Sequence, residues 1–174
     1  SVLATALAAL EGLRPPPGRG TQDWLIEPGH SGRRLLLMDE SYNANPASMK
    51  AALGNLKLVA DWSGGPLKGR RIAVLGDMLE LGADAPQLHA GLAAALAEAG
   101  VDLLFAAGPN MKHLYDAVPE GRRAQWGPDS KSIEAALLNA VRPGDAVIVK
   151  GSNGSRMGVL VEALRRRYSG TASA

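Results

Sequence analysis

The chain repeats one pattern four times: a short, almost wholly apolar run ends in polar or glycine residues and passes straight into a segment of helical periodicity. The runs are residues 34–38, 71–75, 101–107 and 145–150. A strand with one face in water alternates apolar and polar side chains, whereas a strand covered on both faces does not. Ile72, Ala73, Val74 and Leu75 therefore predict an inner strand of a mainly parallel sheet, and the other runs read the same way. The helical stretches at 46–62, 87–99, 110–118, 129–141 and 155–168 are long enough for crossovers and predict cover on both faces. Leu88, Leu92 and Leu96 are expected on the inner face of the second, and Met157, Leu160, Leu164 and Tyr168 on that of the last. Trp24, Leu25 and Ile26, followed by a turn at 28–32, predict an antiparallel edge strand, and residues 124–126 a weaker strand. The expected fold class is α/β, a Rossmann-like three-layer sandwich around a mostly parallel sheet of about six strands with one antiparallel edge strand.

Leu3, Leu7 and Leu10 have helical spacing, and Gly12 followed by Pro15, Pro16, Pro17 and Gly18 stops that pattern abruptly. A boundary is expected near residue 20, with one domain over 21–168 and a small polar, disordered tail over 169–174. The absence of an initiator Met suggests a piece of a longer chain. With 46% hydrophobic residues among 174, the core is ample. The 19 basic and 17 acidic residues are interspersed and leave a net charge of +2, so nucleic acid is not implied. Zero cysteines exclude disulfides and thiolate metal sites and suit a reducing compartment. No apolar run reaches the roughly 18 residues of a membrane span, and a signal peptide is not expected at Ser1. A soluble, cytoplasmic protein is expected.

Three strand-end loops, at 39–45, 76–81 and 150–155, must share one edge of a parallel sheet, the edge where such sheets bind ligands. Asn45 reads as a helix N-cap with Pro46 at the first helical position. Asp39, Glu40, Tyr42, Asn43 and Asn45 are expected to face that edge. Lys150, with Gly151 and Gly154 in a loop that opens a helix, suits a carboxylate or phosphate; its other reading is a snorkelling lysine at a flexible turn. Asp77 and Glu80 suit an ammonium, and the two loops together would hold a zwitterion such as an amino acid or dipeptide. No GxxxxGK[ST] or GxGxxG motif follows any strand, so the chain lacks its own triphosphate cradle. His30, His89 and His113 have no metal-ligand spacing, and no metal site is expected. For His89 a structural role outweighs a catalytic one. Met78 and Trp126 are expected to pack, and Arg165, Arg166 and Arg167 to form a solvated helix end.

Three motifs in order carry a resemblance: Tyr42, Asn43, Ala44, Asn45 and Pro46 with Ser48 and Met49; Gly76, Asp77 and Met78 with Glu80, Leu81, Gly82 and a later His89; and Lys150, Gly151 and Ser152 with Met157. Over about residues 2–168 the chain resembles the MurF branch of the Mur ligases, which join D-Ala-D-Ala to UDP-N-acetylmuramoyl-tripeptide in peptidoglycan synthesis. The resemblance implies the carboxy-terminal domain, with residues 1–20 as the tail of the central ATPase domain and linker. It implies ATP and Mg²⁺ as cofactors bound mainly by the central domain, with no catalytic residue in this chain, and the central and amino-terminal domains as partners. It places Tyr42, Asn43, Asn45, Asp77, Lys150 and Ser152 along the D-Ala-D-Ala cleft, and Arg19, Asp39 and Glu40 near the nucleotide. Many members read KGSR where this chain has Asn153, so no arginine role carries over there. The alternatives are a sibling Mur or folylpolyglutamate-type ligase, which should lack the first two motifs together, and a dipeptide-binding module without catalysis.

Overall fold

The computed structural model describes residues 16–29, 34–61 and 69–168. The expected helix before residue 14, the turn tip at 30–33, the break at 62–68 and the tail at 169–174 lie outside the described residues. The strands are β1 (Thr21–Ile26), β2 (Arg34–Glu40), β3 (Arg71–Gly76), β4 (Leu103–Ala107), β5 (Arg123–Gly127) and β6 (Ala146–Lys150). The helices are α1 (Pro46–Asp61), α2 (Ala85–Ala90), α3 (Ala93–Glu98), α4 (Met111–Ala117), α5 (Ser130–Ala140) and α6 (Gly158–Tyr168).

The strands order as β1-β2-β6-β3-β4-β5, with β1 antiparallel to β2 and every other neighbour parallel. Alternation along each strand feeds two cores. Leu36, Met38, Leu75 and Ile148 pack with α1, α3 and α4, while Leu35, Leu37, Val147 and Val149 pack with α5 and α6. This is the expected three-layer sandwich. Helix α1 starts where the sequence places it, because the Asn45 Oδ1 accepts the Ser48 N–H at 2.8 Å and the Ser48 Oγ accepts the Asn45 N–H at 3.0 Å. Met49, Ala52, Leu53 and Leu56 then form a buried stripe, each fully buried leucine contributing about 1.5–3 kcal/mol.

Two helices differ from expectation. The single helix over 87–99 is two, α2 and α3, joined by a tightened turn in which the Leu92 N–H bonds the His89 carbonyl at 3.1 Å. Leu92 and Leu96 are buried as expected, but Leu88 is exposed and His89 takes the inward position, because its ring finds hydrogen-bond partners there. The last helix starts at Gly158 rather than near residue 155, after a 3₁₀ turn over Asn153–Ser155 and a left-handed Arg156 at φ 55°. Leu160, Leu164 and Tyr168 line its inner face as the periodicity predicts, and Met157, just before it, is buried with them.

Candidate functional site

The sheet order brings the carboxyl ends of β2, β6 and β3 side by side. Chain leaving β2 and β3 turns to the α1 side and chain leaving β6 turns to the α6 side, so the β6 end is a switch point with a crevice on each flank. All three polar loops meet here.

Register makes the first tie. Glu40 lies opposite Lys150 on neighbouring parallel strands, so both side chains reach the same face. The Lys150 ammonium, almost fully buried, donates to the Asn43 carbonyl at 2.8 Å and lies 3.7 Å from Glu40 Oε2. Burial pushes its pKa below the ordinary lysine range, and the Glu40 carboxylate opposes that shift. Lys150 thus holds the 39–45 loop from beneath, in place of the free snorkelling lysine of the alternative sequence reading.

Ser152 makes the second tie. Its hydroxyl accepts the Leu79 N–H at 2.9 Å and approaches the Ala44 carbonyl at 3.4 Å, while its own N–H bonds the Asp77 carbonyl at 3.1 Å. One small side chain therefore touches all three loops. Gly76 and Gly151 allow this closeness: a Cβ on Gly76 would lie 2.6 Å from Met157 Cγ, and one on Gly151 equally close to the same atom.

Asp77 is buried, and its carboxylate turns away from the crevice. Oδ1 accepts the Met111 N–H at 2.8 Å, and Oδ2 accepts the Asn110 N–H at 3.2 Å and its side-chain amide at 3.3 Å. It caps α4 from a neighbouring strand, which corrects the expectation of a carboxylate open to a ligand ammonium. Within that loop the exposed acid is Glu80, held at a left-handed φ of 62°. His89 supports the same loop: its Nδ1–H donates to the Ala85 carbonyl at 2.6 Å and its Nε2 accepts the Met78 N–H at 3.0 Å. A carbonyl only accepts and an amide N–H only donates, so these partners fix the tautomer. His89 is structural, as expected. Met78 is in the core, and Trp126 packs at its border with its indole N–H on the Gly108 carbonyl at 2.9 Å.

On the other flank, a cavity of about 590 Å³ opens between Gly18, the tip of β2 and the start of α6. Asp39 borders it with both oxygens already bonded, to the Gly18 N–H and to Ser41. Expected beside a nucleotide, Asp39 is almost fully buried, and both its oxygens accept from groups of its own chain. Glu40, partly exposed, keeps acceptor capacity. Tyr42 and Arg19 are exposed, the guanidinium carbon 4.1 Å from the ring centroid. Asn43 is exposed above the Lys150 tie, and the Asn45 side chain is engaged in capping α1. Arg165 departs from the solvated helix end: it binds Asp23 Oδ2 at 2.6 Å and lies 3.7 Å from Asp39 Oδ2, fastening α6 to β1 and β2. Periodicity placed it at a helix end, and nothing in the local sequence marks its acidic partners across the fold. Ser41 and Gly18 were likewise unassigned; the Gly18 and Gly20 pair around Arg19 was the available signal for a special backbone there.

The family described as Mur ligase, glutamate ligase domain, matches residues 30–153, a span that contains both the Tyr42 and Asp77 loops and reaches Asn153. The UDP-N-acetylmuramoyl-tripeptide–D-alanyl-D-alanine ligase of Synechocystis is 37% identical over 135 residues, covering 76% of this chain and 28% of that protein. The enzyme of the same name from Escherichia coli is 31% identical over 160 residues, covering 91% of this chain and 32% of that one. Among solved structures, MurF from Acinetobacter baumannii superposes with a TM-score of 0.74 at 25% identity, covering 93% of this chain and 33% of the other. The chain spans about a third of the length of these relatives. With the motifs seated on one sheet edge and the family match running across them, this chain belongs to the Mur ligase family and carries its glutamate ligase domain.

Proposed function

We propose that this chain is the carboxy-terminal domain of an ATP-dependent amide ligase that adds D-Ala-D-Ala to UDP-N-acetylmuramoyl-tripeptide in peptidoglycan synthesis, in the cytoplasm. The observation that carries this reading is the set of three motif loops tied together at one sheet edge by Lys150 and Ser152, in a chain whose relatives bear that name. Among the described residues no group of three or more His, Asp or Glu could hold a metal ion, and no phosphate-loop motif occurs in the sequence. The resemblance assigns Mg²⁺ and the triphosphate to the central domain. ATP supplies the phosphoryl group that turns the tripeptide carboxylate into an acyl phosphate, which the dipeptide amine attacks.

The residues of this chain supply orientation and exclusion of water. Exposed Asn43 forms the rim that meets the dipeptide, over a floor set by Lys150 and Ser152, with Asn45 capping α1 just after it and Asp77 capping α4, while Tyr42 borders the cavity on the other flank. Glu80 is placed to receive an ammonium. On the opposite flank Arg19, stacked on Tyr42, suits the base of a nucleotide, and Glu40, on the Lys150 face of the β2 tip, suits its ribose. Holding an amine near an acyl phosphate converts a bimolecular encounter into an effectively unimolecular step, with effective molarities up to about 10⁵–10⁸ M in well-oriented systems. Domain closure over the nucleotide adds water exclusion.

The test is phosphate release from ATP. The full-length enzyme carrying this domain is expected to release phosphate only with both D-Ala-D-Ala and the UDP-linked tripeptide present, and the 174-residue chain alone none. Turnover by the chain alone, or a full-length enzyme that accepts glutamate and refuses the dipeptide, would overturn this assignment.

A further inference from the structure

The segment entering the domain is laced to the tip of β2 by one buried carboxylate. Asp39 is 2% exposed. Its Oδ2 accepts the Gly18 N–H at 3.1 Å, and its Oδ1 accepts the Ser41 N–H at 3.1 Å and the Ser41 hydroxyl at 2.6 Å. Two main-chain bonds complete the lacing, from the Gly20 N–H to the Asp39 carbonyl at 2.9 Å and from the Tyr42 N–H to the Gly18 carbonyl at 3.0 Å. Arg165 Nη2, 3.7 Å from Oδ2, balances a charge that is otherwise costly to bury.

Backbone geometry shows why this stretch reads Gly18, Arg19, Gly20. Gly18 has φ +77°, and a Cβ there would lie 2.9 Å from both the Cβ and the N of Tyr42. Gly20 has φ +86°. Both positions lie in the left-handed region that glycine enters without steric cost. Between them Arg19 swings outward onto the Tyr42 ring.

We propose that Asp39 is a positioning residue: it clamps residues 16–20 to the Tyr42 tip, so that Arg19 and Tyr42 reach the nucleotide-facing flank as one preformed unit. What the unit faces rests on the function proposed above; the clamp itself is a property of this chain. Each oxygen of the carboxylate is engaged by a neighbour in the chain.

Asp39→Asn tests the clamp, because a carboxamide has one acceptor oxygen where the carboxylate has two, and with that oxygen on the Ser41 N–H and hydroxyl none is left for the Gly18 N–H. In the 174-residue chain, hydrogen exchange at the Gly18 and Tyr42 amides is expected to accelerate about ten- to 100-fold, with Phe105 and Ala106 of β4 within about twofold of wild type. Gly18→Ala, which keeps the carboxylate but strains the contact with Tyr42, is expected to accelerate the Tyr42 amide and serves if Asp39→Asn does not fold. In the full-length enzyme both variants are expected to raise the KM for ATP about tenfold and leave the KM for the dipeptide within about twofold. Unchanged exchange at Gly18 in Asp39→Asn, at Tyr42 in Gly18→Ala, or equal kinetic changes for the two substrates would overturn the proposal. A wild-type enzyme that ligates no dipeptide would refute the proposed function, and the exchange comparison would still decide the clamp.

Discussion

The two edges of the sheet bury polar groups for different ends. At the amino edge, Asp145 accepts from the Arg70 N–H at 3.1 Å, from its Nε at 3.2 Å and Nη2 at 2.8 Å, and from the Arg142 N–H at 2.9 Å. That set joins the starts of β3 and β6. At the carboxyl edge, Asp39, Ser41, Asp77, Lys150 and Ser152 are also buried and bonded, but their partners are loop backbones. Above them Tyr42, Asn43, Glu80 and Arg156 remain exposed. Among the described residues the two non-glycine left-handed conformations, Glu80 and Arg156, are both at this edge, where the surroundings must hold a costly backbone. One edge spends its polar contacts on stability, the other on shape.

That contrast is sharpest for single substitutions. Asp145→Ala leaves a partly buried Arg70 and several N–H groups without their acceptor, and is expected to cost about 3–5 kcal/mol in chemical denaturation of the chain. Next comes His89→Ala, which orphans the Met78 N–H, removes a second bond to the Ala85 carbonyl and opens a cavity, for about 2–4 kcal/mol. It should also loosen the 76–81 loop, seen as faster amide exchange at Met78. If His89→Ala proves neutral, that loop is not held from beneath.

Asn45→Ala removes the α1 cap and is expected to cost about 1 kcal/mol in the same denaturation measurement. Lys150→Met is expected to cost the least, under about 1 kcal/mol near neutral pH, because the lost hydrogen bond is offset by relief of a desolvated charge. The pH dependence has a definite sign. With its folded pKa below the unfolded value of 10.5, Lys150 binds fewer protons in the folded chain across that interval. Wild-type stability therefore rises relative to Lys150→Met as pH climbs through the folded pKa toward 10.5. A stability gap that stays flat or shrinks with pH would show that the ammonium is not desolvated.

Much of this was legible in the chain itself. Fully covered strands lack alternation, so the runs around Ile72 and Val147 announced themselves, and an Asn45 cap before Pro46 marked the start of α1. Strand order was not legible, because insertion of β6 between β2 and β3 depends on packing across the whole sheet rather than on any local period. The site residues could be placed on the right edge, but the directions of their side chains could not. Asp77 and Asp39 look like available acids in sequence, and only the return of Met111 and Gly18 to their sides shows that they are engaged. Leu88 and His89 were exchanged for a related reason: hydropathy favours burying leucine, whereas two backbone partners make the histidine the better fit.

The most direct measurement compares the edges in the full-length enzyme, as kcat/KM for D-Ala-D-Ala per folded molecule in Lys150→Met and in Asp145→Ala. If the carboxyl edge shapes the dipeptide site, Lys150→Met loses about 10- to 150-fold through its hold on Asn43, and Asp145→Ala, though far less stable, stays within about twofold. Equal losses, or a loss confined to Asp145→Ala, would contradict the account.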